Sequence, residues 1–124
     1  MAAPENNKGL KRIYNAFFFS MHGFKACFKT EEAFRQEVYL AIIMIPLGLW
    51  LGKNAVEQSL LVGSVFLVLT VEILNTAVER AIDRISFEKH DLSKEAKDMG
   101  SAAVFLMLMM TGLIWTLIGL PKIF

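Results

Sequence analysis

The segment VEILNTAVERAID (residues 71–83) puts carboxylates where a lipid-facing stretch should be. At about 100° per residue, Glu72, Asn75, Thr76, Glu79 and Asp83 share one helical face, with Arg80 on its flank. Ahead of them, Ser59 to Val71 is unbroken apolar or small, so Glu72 is the deepest charge in the chain. Ionisable groups inside a membrane segment are costly and face a bundle interior or a functional site. Three chemistries suit this face: a polar clamp between helices, a carboxylate relay for protons or cations, and an acid–base or metal site. A second acidic cluster, TEEAFRQE, supplies Glu31, Glu32 and Glu37 beside Arg35. If Glu31 meets Glu79 across the bundle, the two could hold a divalent cation. Mg²⁺ takes one or two carboxylates together with substrate phosphates.

The third group lies in FEKHDLSKEAKDMGSAAV, read as a loop. It offers Glu88, Lys89, His90, Lys97 and Asp98, followed by Gly100 and Ser101. Lysine pairs with phosphate oxygens as a point charge. His22 is read as amphipathic surface and Cys27 as packing. The chain has no GxxxxGK[ST] loop, no kinase glycine loop, no zinc spacing and no GxSxG elbow. Any nucleotide chemistry here must use a different phosphate site.

The elements that would carry these groups are membrane helices. The 124 residues are 55% hydrophobic, with a mean hydropathy of +0.47. A soluble domain is about 45–50% apolar. The net charge of +1 gives no basic footprint for nucleic acid, and one cysteine forms no internal disulfide. A span needs about 20 mostly apolar residues. Residues 34–51, 56–85 and 102–120 meet that need, with Pro46 inside the first and Pro121 closing the third. Residues 8–29 interleave cations with Phe17, Phe18, Phe19, Phe24 and Phe28, the pattern of a helix lying in the membrane interface. The start up to Lys8 is polar and contains a proline; no cleaved signal peptide is expected. Basic residues crowd before the first span and after the second, which predicts a cytoplasmic N-terminus and second loop, with the first loop and the C-terminus outside.

The motifs resemble a known family. EILNTAVERAID (72–83), EEAFRQE (31–37) and AKDMGSAA (96–103) are similar, in order, to those of the prokaryotic diacylglycerol kinases, and the similarity runs from about Arg12 to Trp115. It implies an all-α membrane protein, one domain over residues 1–124, assembled as a homotrimer with active sites shared between subunits at the cytoplasmic face of a bacterial inner membrane. The implied reaction passes the γ-phosphate of ATP, with Mg²⁺, to diacylglycerol, giving phosphatidic acid. Relatives acting on undecaprenol are the alternative substrate branch; AFRQE is similar to the diacylglycerol branch.

Carried over by position, Glu72 is the general base, Glu31 and Glu79 hold Mg²⁺, and Asn75 orients the site. Arg12, Lys97 and Asp98 meet the phosphates, with Phe19, Glu88, Lys89 and His90 along the rest of the nucleotide. Arg12, Ala33, Arg35, Glu37, Glu72, Ser101 and Trp115 line the lipid side. The chain departs from the pattern at Asn15, where the family often has lysine, and at Phe19 and Lys89, where it has tyrosine. A small transporter using the Glu72–Glu79 face as a relay is the rival from another class; it would need neither Lys97 nor Mg²⁺.

Overall fold

The computed structural model describes residues 8–124; the polar start before Lys8 lies outside them. The described residues form four helices and no strand: α1 (Gly9–Thr30), α2 (Glu32–Leu51), α3 (Ala55–Ile85) and α4 (Asp91–Ile123). The last three are long and apolar enough to cross a membrane. The protein is thus an all-helical membrane protein, as expected.

Local chemistry sets each break. Glu31 is extended between α1 and α2, and Glu32 then meets the positive end of the α2 dipole. The last carbonyls of α1 would be orphaned there. Arg35 satisfies two of them, donating to Phe28 O at 2.8 Å and Lys29 O at 3.0 Å. Between α2 and α3 the chain turns at Gly52, where a Cβ would meet Gln58 N at 2.7 Å. Asn54 then caps α3, its Oδ1 accepting from Glu57 N at 2.9 Å.

The expected loop after α3 is shorter than its polarity suggests. Only residues 86–90 connect α3 to α4, and Asp91 to Gly100 is already helix. His90 Nδ1 accepts from Leu92 N at 3.1 Å as the cap, Asp91 sits in the first turn, and Lys94 pairs with Asp98 one turn on. Hydropathy is blind to such a polar extension. At the other end α4 runs through Pro121 to Ile123. Lys122 Nζ donates to Leu51 O at 2.6 Å and pairs with Glu57, tying this end to the α2–α3 turn.

Length then positions the site. At about 1.5 Å per residue, the 31 residues of α3 and 33 of α4 exceed a hydrocarbon core of about 30 Å. Both helices are therefore longer than a span requires, and their polar residues gather at the end of Asp83 and Asp91. The shared interior is thin: Phe34, Ala41, Gly48, Leu51, Leu61, Ser64, Val65 and Val68 are buried. Ile42, Ile43, Phe66, Leu67, Leu74, Phe105, Leu106 and Leu113 face outward, as lipid contact requires.

Candidate active site

The carboxylate face of α3 crosses from the bundle interior to an open rim. At its inner end Glu72 is 9% exposed and Thr76 is buried beside it. Glu37, on α2, turns its carboxyl towards that of Glu72, close enough for the two to interact. Glu37 Oε2 and Asn75 Oδ1 are both buried without a hydrogen-bond partner. Buried polar atoms are nearly always satisfied, so one unsatisfied atom on α2 and another on α3 set this region apart from ordinary apolar packing. A small cavity of about 80 Å³, lined by Ala41, Met44, Val65, Val68 and Leu108, continues from Glu37 into the apolar zone.

One corner joins α1 and α2 to this face. Cys27 Sγ lies 3.8 Å from Thr76 Oγ1, and Arg80 donates to the Thr30 hydroxyl. Glu31 follows Thr30 and Glu79 precedes Arg80 in the chain, so each predicted metal carboxylate is the sequence neighbour of a residue in this contact. Among the described residues no three Asp, Glu, His or Cys side chains gather as a cage. The chemistry of Glu31 and Glu79 suits Mg²⁺ in kind, since that ion takes one or two carboxylates and leaves its other positions to water and phosphate. Burial pushes the Cys27 thiol up.

At the rim, the ends of α3 and α4 border an open pocket of about 460 Å³. Its walls bring together Glu88, Lys89, His90, Lys97 and Asp98, the predicted nucleotide residues of this stretch. Asp83 closes one side, and Lys97 Nζ meets its Oδ1 at 2.7 Å. Lys94 holds Asp98 at 2.7 Å. The Lys97–Asp83 pair is 39% exposed on both sides. Exposed pairs are worth about 0–1 kcal/mol, so an incoming anion can take Lys97 from Asp83.

The remaining predicted residues are scattered. Arg12 and Phe19 stand on the exposed, N-terminal part of α1, and Arg12 makes no ion pair among the described residues. Ala33 and Ser101 are exposed, and Arg35 is bound to the end of α1. Trp115 is half-buried against α3, its indole N–H donating to Leu61 O at 3.2 Å and Ser64 Oγ at 3.1 Å. From Ser101 to Trp115 is about 21 Å along the helix at ~1.5 Å per residue.

Sequence reasoning missed an apolar groove of about 470 Å³ between α1, α2 and α3. Phe24, Phe28, Phe34, Val38, Phe66 and Ile73 line it, with Lys25 among them. Its walls are ordinary membrane residues, and only the docking of α1 onto α2 turns them into a groove. Asp83 was legible as part of the α3 face, but its pairing with Lys97 follows from the early start of α4.

Comparison with known proteins agrees with the motifs. The family described as prokaryotic diacylglycerol kinase matches residues 18–119. The diacylglycerol kinase of Haemophilus influenzae is 48% identical over 107 residues, covering 86% of this chain and 91% of that protein. That of Pseudomonas aeruginosa is 47% identical over 110 residues, 89% of each chain. The Escherichia coli K12 protein of the same name is 42% identical over 113 residues, 91% of this chain and 93% of its own.

Proposed function

This chain belongs to the prokaryotic diacylglycerol kinase family, and from that membership we propose that it phosphorylates diacylglycerol to phosphatidic acid, using ATP and Mg²⁺, at the cytoplasmic boundary of a bacterial inner membrane. That it is a membrane-embedded lipid kinase follows from the family and its apolar helices. One observation supports the finer reading most: a single face of α3 links a buried carboxylate, Glu72, to the charged rim pocket at Asp83 and Lys97. A lipid kinase needs this pairing, because its two substrates arrive from different phases.

Phosphoryl transfer depends on positioning and charge neutralisation. ATP would lie in the rim pocket, with Lys97 on its phosphates beside Asp98, and Glu88, Lys89 and His90 along the nucleoside. Glu31 and Glu79 would hold Mg²⁺, which neutralises charge on the phosphates when bound. Glu72 would take the proton from the lipid hydroxyl, which then attacks the γ-phosphorus in line, and ADP leaves. A general base in reach of that proton contributes about 10²–10⁴-fold. Asn75, one turn from both Glu72 and Glu79, would orient the set. Glu37, with Ala33, Arg35, Ser101 and Trp115, is assigned to the lipid side; the groove behind α1 would take an acyl chain.

Arg12 and Phe19 are read as nucleotide contacts made across a subunit boundary. Their place on the exposed part of α1 supports this, as does the outward apolar surface of α4, and both suit a homotrimer with shared sites. The deciding experiment offers labelled ATP and Mg²⁺ to the protein in mixed micelles containing diacylglycerol and undecaprenol. Label in phosphatidic acid, lost on chelation, is expected. Label mainly in undecaprenyl phosphate reassigns the substrate, and label in neither product from a folded oligomer rejects the reading.

A further inference from the structure

We propose that Gly100 is a positioning residue: its missing side chain is the space that holds the Asn75 amide in its working orientation. The inference rests on the orienting role of Asn75 given above. Gly100 lies on α4, facing α3. A Cβ built there would run into Asn75 Oδ1 and stand 3.1 Å from its Cγ. The amide of Asn75 therefore fills the volume that any other residue at position 100 would require.

Hydrogen bonding does not hold this oxygen, because Asn75 Oδ1 is buried without a partner. A buried acceptor left unpaired is unfavourable, and an amide free to turn would seek a donor. The bare Cα of Gly100 leaves the amide room to sit against α4. Glu72 and Glu79 stand one turn to either side of Asn75 on α3, within reach of an amide so placed. A residue with a Cβ at position 100 would push the amide towards another rotamer.

The close contact is with the tip of a side chain and not with backbone. Gly100→Ala should therefore displace the amide without separating the helices. Alanine is also the better helix former, so in the absence of this conflict the change would stabilise α4. Small misplacements in a reacting site cost on the order of 10²-fold.

The test compares wild type, Gly100→Ala, Asn75→Ala and the double variant, as assembled protein in detergent micelles with diacylglycerol and Mg-ATP. For Gly100→Ala the expected result is a kcat lower by about 10–100-fold, KM for ATP little changed, and an unaltered oligomer. In the Asn75→Ala background the second substitution should cost nothing further in kcat and should raise the thermal midpoint. If Gly100→Ala alone fails to fold, recovery of a folded oligomer in the double variant supports the shared-space contact, and failure of the double overturns it. A kcat for Gly100→Ala within twofold of wild type, with Asn75→Ala impaired, overturns the inference while leaving the role of Asn75 intact. Full kcat in Asn75→Ala overturns that role, and the inference with it.

Discussion

Glu72 faces Glu37 in the bundle interior and is not among the residues bordering the rim pocket, so its substitution can be read separately from nucleotide binding. Glu72→Gln keeps shape and volume, and it should leave a folded oligomer with turnover reduced by about 10²–10⁴-fold. Labelled-phosphate transfer checks this; near-normal turnover removes Glu72 as the base. Glu79→Gln should instead raise the Mg²⁺ concentration needed for half-maximal rate as well as lowering the rate, and a titration of the metal reads it. Cys27 offers a structural control. Its thiol titrates above the ordinary range because it is buried against α3. At neutral pH it therefore holds less of the reactive thiolate than a free cysteine. Maleimide labelling should be slow in the folded protein and complete after unfolding in detergent; equal rates in both states would place Cys27 at an open surface.

At the scale of elements, the polar head of α4 is the part the site depends on. Its residues from Asp91 to Gly100 carry the pocket wall, the Lys97–Asp83 pair and the seat of Asn75. His90 starts that helix by accepting from Leu92 N. Loss of a capping acceptor costs about 0.5–2 kcal/mol. His90→Asn should keep the cap, while His90→Ala should lose it. Thermal unfolding reads the cap and KM for ATP reads the pocket. If the cap is what matters, Asn recovers both quantities; if the imidazole touches nucleotide, Asn recovers stability alone. The other end of α4 has a different task. There Lys122, Trp115 and Thr111 bind it to α2 and α3 through hydrogen bonds remote from the rim. One helix is thus anchored at its apolar end and functional at its polar end.

At the scale of the whole molecule, much of the apolar surface has no partner within one chain, and α4 is the least covered of the long helices. Lipid can cover such surface, and so can further copies. The proposed shared sites make a sharper demand: Arg12 must serve a pocket built by another copy. Arg12→Ala and Glu72→Gln should each be inactive or nearly so as pure proteins. Refolded together from a denatured mixture, they should recover activity well above either alone, because some sites then receive an intact Arg12 and an intact Glu72. Mixtures no more active than the parents would confine each site to a single chain.

Much of this architecture was legible in residue order. Hydropathy marked the three spans, because a helix in lipid must be apolar over its length. The carboxylates of 72–83 stood out because their burial is costly, and their spacing placed them on one face. The motifs named the family that comparison then matched. Tertiary structure decided what depends on contacts between distant segments: the turn of Glu37 towards Glu72, the pairing of Lys97 with Asp83, and the groove closed by α1. The start of α4 at Asp91 was hidden as well, since a polar helix is stabilised by its cap, its i,i+4 pair and its neighbour, none of which hydropathy registers. Gly100 shows the limit most clearly. In the chain it is a small residue at the mouth of a span; its meaning is the volume that Asn75, on another helix, takes up beside it.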